Sequence, residues 1–74
     1  MLKFMAFIER DPDSGWYIGS VPQLPGAFTQ AETMEELNIR LEEVVRGMLA
    51  DMREHGEEIP DSEFICTSPI NVEL

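Results

Sequence analysis

Val21-Pro22-Gln23-Leu24-Pro25-Gly26-Ala27-Phe28-Thr29-Gln30-Ala31-Glu32-Thr33-Met34-Glu35-Glu36-Leu37 holds a turn, a strand and a helix start in one run. Pro22, Pro25 and Gly26 shape the turn, because proline presets a negative φ and glycine accepts a positive one. Ala27 to Ala31 behind it is short and β-compatible. Thr33-Met34-Glu35-Glu36 has the spacing of a capping box, in which Thr33 accepts from the backbone N–H three residues on and Glu36 reaches back. These residue types serve the backbone, so Pro22, Pro25, Gly26, Thr33 and Glu36 are read as a structural motif rather than as ligand contacts.

Working outward, the helix continues well beyond Leu37. At 100° per residue, Met34, Leu37, Leu41, Val44, Val45, Met48, Leu49 and Met52 fall in an arc of roughly 140°, the width of a core-facing stripe. Glu36 with Arg40, and Glu42 with Arg46, are i,i+4 pairs in the favoured order. His55-Gly56 supplies a last-turn partner and a glycine at the C-cap. Ile39 lies outside the apolar arc and reads as a contact residue. Gly47 sits in mid-helix, which points either to close approach of another backbone or to simple tolerance.

Toward the N-terminus, Leu2 to Glu9 alternates as a strand, with Leu2, Phe4, Ala6 and Ile8 on the core face and Met5 and Phe7 on the other. Asp11-Pro12-Asp13-Ser14-Gly15 is a turn leading into a second strand, Trp16 to Val21. Beyond the helix, Glu57 to Ser62 is a polar connector. Glu63 to Thr67 and Ile70 to Leu74 are extended segments interrupted by Pro69.

The expected fold is therefore α+β, in the order β-β-β-α-β. One long helix, of about 22 residues and near 33 Å, covers one face of a four-stranded mixed sheet. A right-handed crossover returns the last strand parallel to the first, giving the sheet order 3-2-1-4. In this arrangement Leu37, Leu41, Val44, Met48 and Met52 pack on Phe4 and Ile8. The uncovered face would carry Met5, Phe7, Trp16 and Tyr17, an apolar patch suited to a two-fold homodimer.

The chain of 74 residues, 43% apolar and 27% charged, has room for one domain, residues 1–74. So small a domain buries only about 60% of the surface its unfolded chain exposes, a second motive for self-association. Five basic residues against fifteen acidic ones leave a net charge of −10. That field repels nucleic-acid phosphates and suits a basic partner. Residues 1–31 carry Lys3 and Arg10 against Glu9, Asp11 and Asp13, so nearly all of the excess falls on residues 32–74.

The apolar stretch Leu2 to Ile8 is too short to span a bilayer and contains Lys3, so a cytoplasmic protein without a membrane segment is expected. A single cysteine, Cys66, excludes an internal disulfide, and a lone His55 cannot complete a zinc site. Neither has a recognisable catalytic partner. Glu9, Asp11 and Asp13 lack the pattern of a calcium loop and flank a turn where acidic residues are common. No catalytic residue, metal or cofactor is assigned.

The segment Val21 to Leu37 resembles the signature of HicB-like antitoxins, with a Pro-x-Leu-Pro-Gly turn after the second strand and a Thr-x-x-Glu cap on the helix. The similarity runs from Phe4 through the helix, and the acidic connector with the last segment resembles the short, single-domain branch. Ala27 and Ala31 stand where many members have cysteine and glycine.

The resemblance implies a reduced ribonuclease-H-like fold and a non-catalytic antitoxin that blocks a small basic HicA-type ribonuclease toxin by direct contact. Glu35, Glu36, Glu42, Glu43, Glu57 and Glu58 are the expected toxin contacts, chosen by charge and position. Larger members append a DNA-binding domain, and none is expected here. The alternative is an orphan interaction or regulatory module with the same fold and no toxin. A metal-dependent nuclease rests on fold analogy alone, since the first strand offers Leu2, Phe4, Ala6 and Ile8 where metal-binding carboxylates would be needed.

Overall fold

The structure, a computed structural model, describes residues 3–59 and 64–74. Leu2, Pro60 to Ser62 of the connector and the start of the expected strand at Glu63 lie outside the described residues. Three strands, β1 (Phe7–Arg10), β2 (Tyr17–Ser20) and β3 (Phe28–Ala31), precede one helix, α1 (Met34–Glu54). The strands form an antiparallel meander in the order β1-β2-β3. Phe7 lies opposite Ser20, Ser20 opposite Phe28, and Gly19 bridges Ile8 and Thr29.

Both connections close on their own hydrogen bonds. In the first, the Asp11 N–H donates to the Trp16 carbonyl and the Gly15 N–H to the Asp11 carbonyl, each at 2.8 Å. Gly15 takes φ 79°, the left-handed conformation that closes the loop. In the second, Val21 and Leu24 donate to Ala27 and Val21 respectively, and Ala27 to Leu24, all at 2.9 Å. Gly26 there has φ 92°.

α1 begins as its cap predicts. The Glu36 N–H donates to Thr33 Oγ1 at 3.1 Å. The reciprocal half of the box is replaced, because the Glu36 carboxylate accepts from Arg40 Nη2 at 2.7 Å instead. At the other end the Gly56 N–H donates to Arg53 and the Glu57 N–H to Met52. With Gly56 at φ 70°, this pair of bonds is a Schellman stop.

The core is a wedge of Val21, Leu24, Ala27, Ala31, Leu37 and Leu41, all buried, flanked by Phe4, Ala6, Tyr17, Val44, Val45, Met48, Leu49 and Met52. Leu24 is 1% exposed, so the β2–β3 turn inserts its largest apolar side chain beneath the helix, with Val21 and Ala27 buried on either side. Arg40 ties the helix to the sheet, donating from Nη1 to the Gln30 carbonyl at 2.6 Å. The helix crosses β3 and β2 but does not reach β1. Ile8 accordingly stays 39% exposed and outside the core against which Phe4 packs.

The four-stranded mixed sheet of order 3-2-1-4 is not formed: the sheet has three strands, all antiparallel, and the helix is followed by no described strand. Residues 64–74 belong to no helix or strand and are exposed along their whole length. Two features explain the difference. Phe64 packs edge-on against Phe7, with centroids 6.4 Å apart. The register puts Phe7 on the face away from the helix, so the segment leaves along the wrong face for a return beside β1. Pro69 then removes a backbone donor from its middle.

Candidate functional site

The six glutamates of the expected acidic surface divide by position. Glu35 and Glu42 lie on one flank of α1, and Glu36 and Glu43 lie about 100° further round. Glu57 and Glu58 follow the C-cap, about 30 Å from the helix start at 1.5 Å per residue. Two of the six are engaged within the molecule: Glu36 with Arg40 and Glu42 with Arg46, each at 2.7 Å. Glu35, Glu43, Glu57 and Glu58 are exposed and form no ion pair among the described residues. Their charges are the ones open to an outside partner.

The acidic N-terminal loop has internal work. Asp11 accepts from the Asp13 N–H through Oδ1 and from the Ser14 hydroxyl through Oδ2, both at 3.0 Å. These two bonds hold its carboxyl below the usual aspartate range, the Asp13 N–H contributing most. Among the described residues no group of three or more His, Cys, Asp and Glu side chains converges as a metal site would require. Cys66 is exposed, and the His55 Nδ1 meets the Asp51 carbonyl at 2.9 Å at the helix end.

The four residues expected at an oligomer interface do not share one surface. Met5 and Phe7 lie on the face away from the helix, Met5 half-buried and Phe7 exposed. Tyr17 sits opposite Ala31 and packs toward the core on the helix side, with the Arg10 guanidinium 5.4 Å over its ring. Trp16 is half-buried just outside β2. Phe28, which the sequence reading did not single out, is 67% exposed on the same face as Phe7. The period of two in β3 was the available signal for it: Ala27, Thr29 and Ala31 face the helix, so Phe28 and Gln30 face away.

A second apolar surface lies beside the helix. Phe4, Ala6, Val21, Leu41, Val45 and Leu49 line an open groove of about 470 Å³, with Glu42 and Arg46 at its rim. It lies between the helix and the chain just before β1. What these features define is a small acidic α+β domain whose accessible surfaces are charged side chains, a mixed sheet face with Phe7 and Phe28 exposed, and an apolar groove.

Comparison with known sequences gives that domain its family. The sequence model of the HicB_like antitoxin of bacterial toxin-antitoxin systems matches residues 4–73. A UPF0150 protein of Thermotoga maritima is 40% identical over 70 residues, covering 95% of this chain and 89% of its own. A UPF0150 protein of Archaeoglobus fulgidus is 38% identical over 71 residues, 96% of each chain. One from Thermoplasma acidophilum is 39% identical over 59 residues, 80% of this chain and 84% of its own. No solved structure gives a significant match. The chain belongs to the HicB-like antitoxin family. Among the described residues no helix is long and apolar enough to cross a membrane.

Proposed function

We propose that this protein neutralises a small basic ribonuclease toxin of the HicA type by direct contact and performs no catalysis itself. The observation that carries this reading is the antitoxin-family match over residues 4–73. The net charge of −10 supports it, since opposite charge raises the rate of encounter with a basic partner and fixes orientation more than it adds affinity. Glu35, Glu43, Glu57 and Glu58 supply the free charge, while Glu36 and Glu42 contribute through their ion pairs. Bound toxin loses access to RNA by mass action. The encounter takes place in the cytoplasm, where the toxin's RNA substrates are.

Co-expression tests the proposal. A small basic reading frame next to this gene should arrest growth when induced alone, and co-induction of the full chain should restore it. A toxin that arrests growth equally with and without this chain would refute the proposal.

A further inference from the structure

We infer that the cavity beside the C-terminal end of α1 is an anchor pocket for one lysine or arginine side chain of a basic protein partner. The inference rests on the antitoxin reading for the identity of that partner. It goes beyond that reading in naming the contact that holds the complex once charge has brought the two proteins together.

The pocket has a volume of about 270 Å³ and is lined by Leu24, Pro25, Met48, Asp51, Met52 and Glu57. Small-molecule sites run from about 300 to 1,000 Å³, so this one is sized for a single side chain. Its walls are fixed by the fold. Leu24 and Pro25 belong to the β2–β3 turn, where the Leu24 N–H donates to the Val21 carbonyl and the Leu24 carbonyl accepts from Ala27. Met48 and Met52 stand about one turn apart on α1. The stop after the helix then folds the chain back, the Glu57 N–H donating to the Met52 carbonyl at 2.8 Å, which sets Glu57 at the edge of the pocket.

Polarity selects the occupant. Leu24 is buried and both methionines are half-buried, so with Pro25 they give an apolar floor, while the exposed Asp51 and Glu57 put two carboxylates on the rim. No basic residue is in the lining. Glu57 forms no ion pair among the described residues, and Asp51 has the His55 Nδ1 3.4 Å away. Arg53, the basic residue of the last turn, lies about 100° round the helix from Met52 and outside the pocket. The C-terminal end of a helix carries partial negative charge, which favours a cation further.

Lysine and arginine are the side chains that join a long apolar stem to a cationic head. The stem covers the floor and the head reaches the rim. Methionine suits such a floor, because its unbranched thioether chain adapts to the shape laid on it. A purely apolar occupant would take water from both carboxylates without pairing them, and an acidic one would meet like charge. The groove along α1 lacks this selectivity: its rim residues Glu42 and Arg46 already pair with each other at 2.7 Å.

Titration of catalytically inactivated toxin, taken from the neighbouring basic reading frame, into the full chain tests the anchor. With the five methionines labelled at their methyl carbons, the NMR signals of Met48 and Met52 should shift on binding. Changing one particular lysine or arginine of the toxin to alanine should abolish both shifts. Asp51→Asn with Glu57→Gln should speed dissociation about tenfold or more, because removing the partner of a charge enclosed in an interface shortens the life of the complex. Glu32→Gln with Glu35→Gln removes the same two charges near the helix start, roughly 24 Å along α1 from Asp51, and should act on the association rate. Circular dichroism checks that both variants keep the helix. No binding by the unmodified chain would refute the antitoxin reading and the anchor with it. The anchor alone is overturned by binding that leaves Met48 and Met52 unshifted, by shifts that survive every lysine and arginine change on the toxin, or by two variants that both act on association alone.

Discussion

A β-carbon placed on Gly19 would lie 2.8 Å from Leu41 Cδ1 and 3.3 Å from Leu41 Cγ. The helix rests directly on the backbone of the middle strand at this point, and both residues are buried. Gly19→Ala should therefore force the Leu41 side chain or the helix to shift, destabilising the fold by about 1–3 kcal/mol. Thermal unfolding measures this as a drop of several degrees, on the order of 4–8 °C per kcal/mol for so small a domain. An unchanged midpoint would mean that the helix does not sit this close.

Gly47 behaves in the opposite way. Nothing lies within 4 Å of a β-carbon built on it, so of its two sequence readings tolerance applies within the single chain. Gly47→Ala should stabilise by about 0.5–1 kcal/mol, the ordinary gain of alanine over glycine inside a helix. A denaturant titration with unchanged slope and a higher midpoint is the expected record.

The helix cap is the third point of control. Thr33→Ala removes the acceptor for the Glu36 N–H and should cost about 0.5–2 kcal/mol. Thr33→Ser should recover most of that loss, which separates the hydroxyl from the methyl group.

Acid acts on the first turn. Because folding lowers the Asp11 pKa, its contribution to stability is fully present above the unfolded value of about 3.9 and is lost as pH falls through the folded value. A carboxyl-carbon titration by NMR should place Asp11 below an ordinary aspartate. Ser14→Ala, which removes the donor at Oδ2, should move it upward.

How far the sequence was readable follows from where its signals are local. Thr33 and Gly56 bracket the helix at residues whose chemistry acts within one turn, and both ends fall where that chemistry places them. The two turns were equally legible from Asp11 to Gly15 and from Pro22 to Gly26. The burial of Leu24 was not read, because a lone apolar residue between two prolines has no periodicity to assign it a face. Tyr17 faces the helix because the first turn sets the register, and a one-residue shift reverses every side chain of a strand. The failed fourth strand has the same origin at longer range. Alternation through Ile70, Val72 and Leu74 records that one side of the segment needs cover and says nothing of which surface provides it. The acidic surface was legible as charge, and the i,i+4 spacing already paired Glu36 with Arg40 and Glu42 with Arg46, as the structure has them.

The proposed charge-steered complex with a basic toxin is tested by association kinetics between the two purified proteins. At low salt the full chain should bind a catalytically inactivated toxin with a rate constant that falls about tenfold or more as ionic strength rises to physiological values. The combined change Glu35→Lys, Glu43→Lys, Glu57→Lys and Glu58→Lys should slow association similarly at low salt while leaving the helical signal unchanged. No binding at low salt, or binding whose rate is indifferent both to salt and to these four substitutions, would contradict the proposed complex.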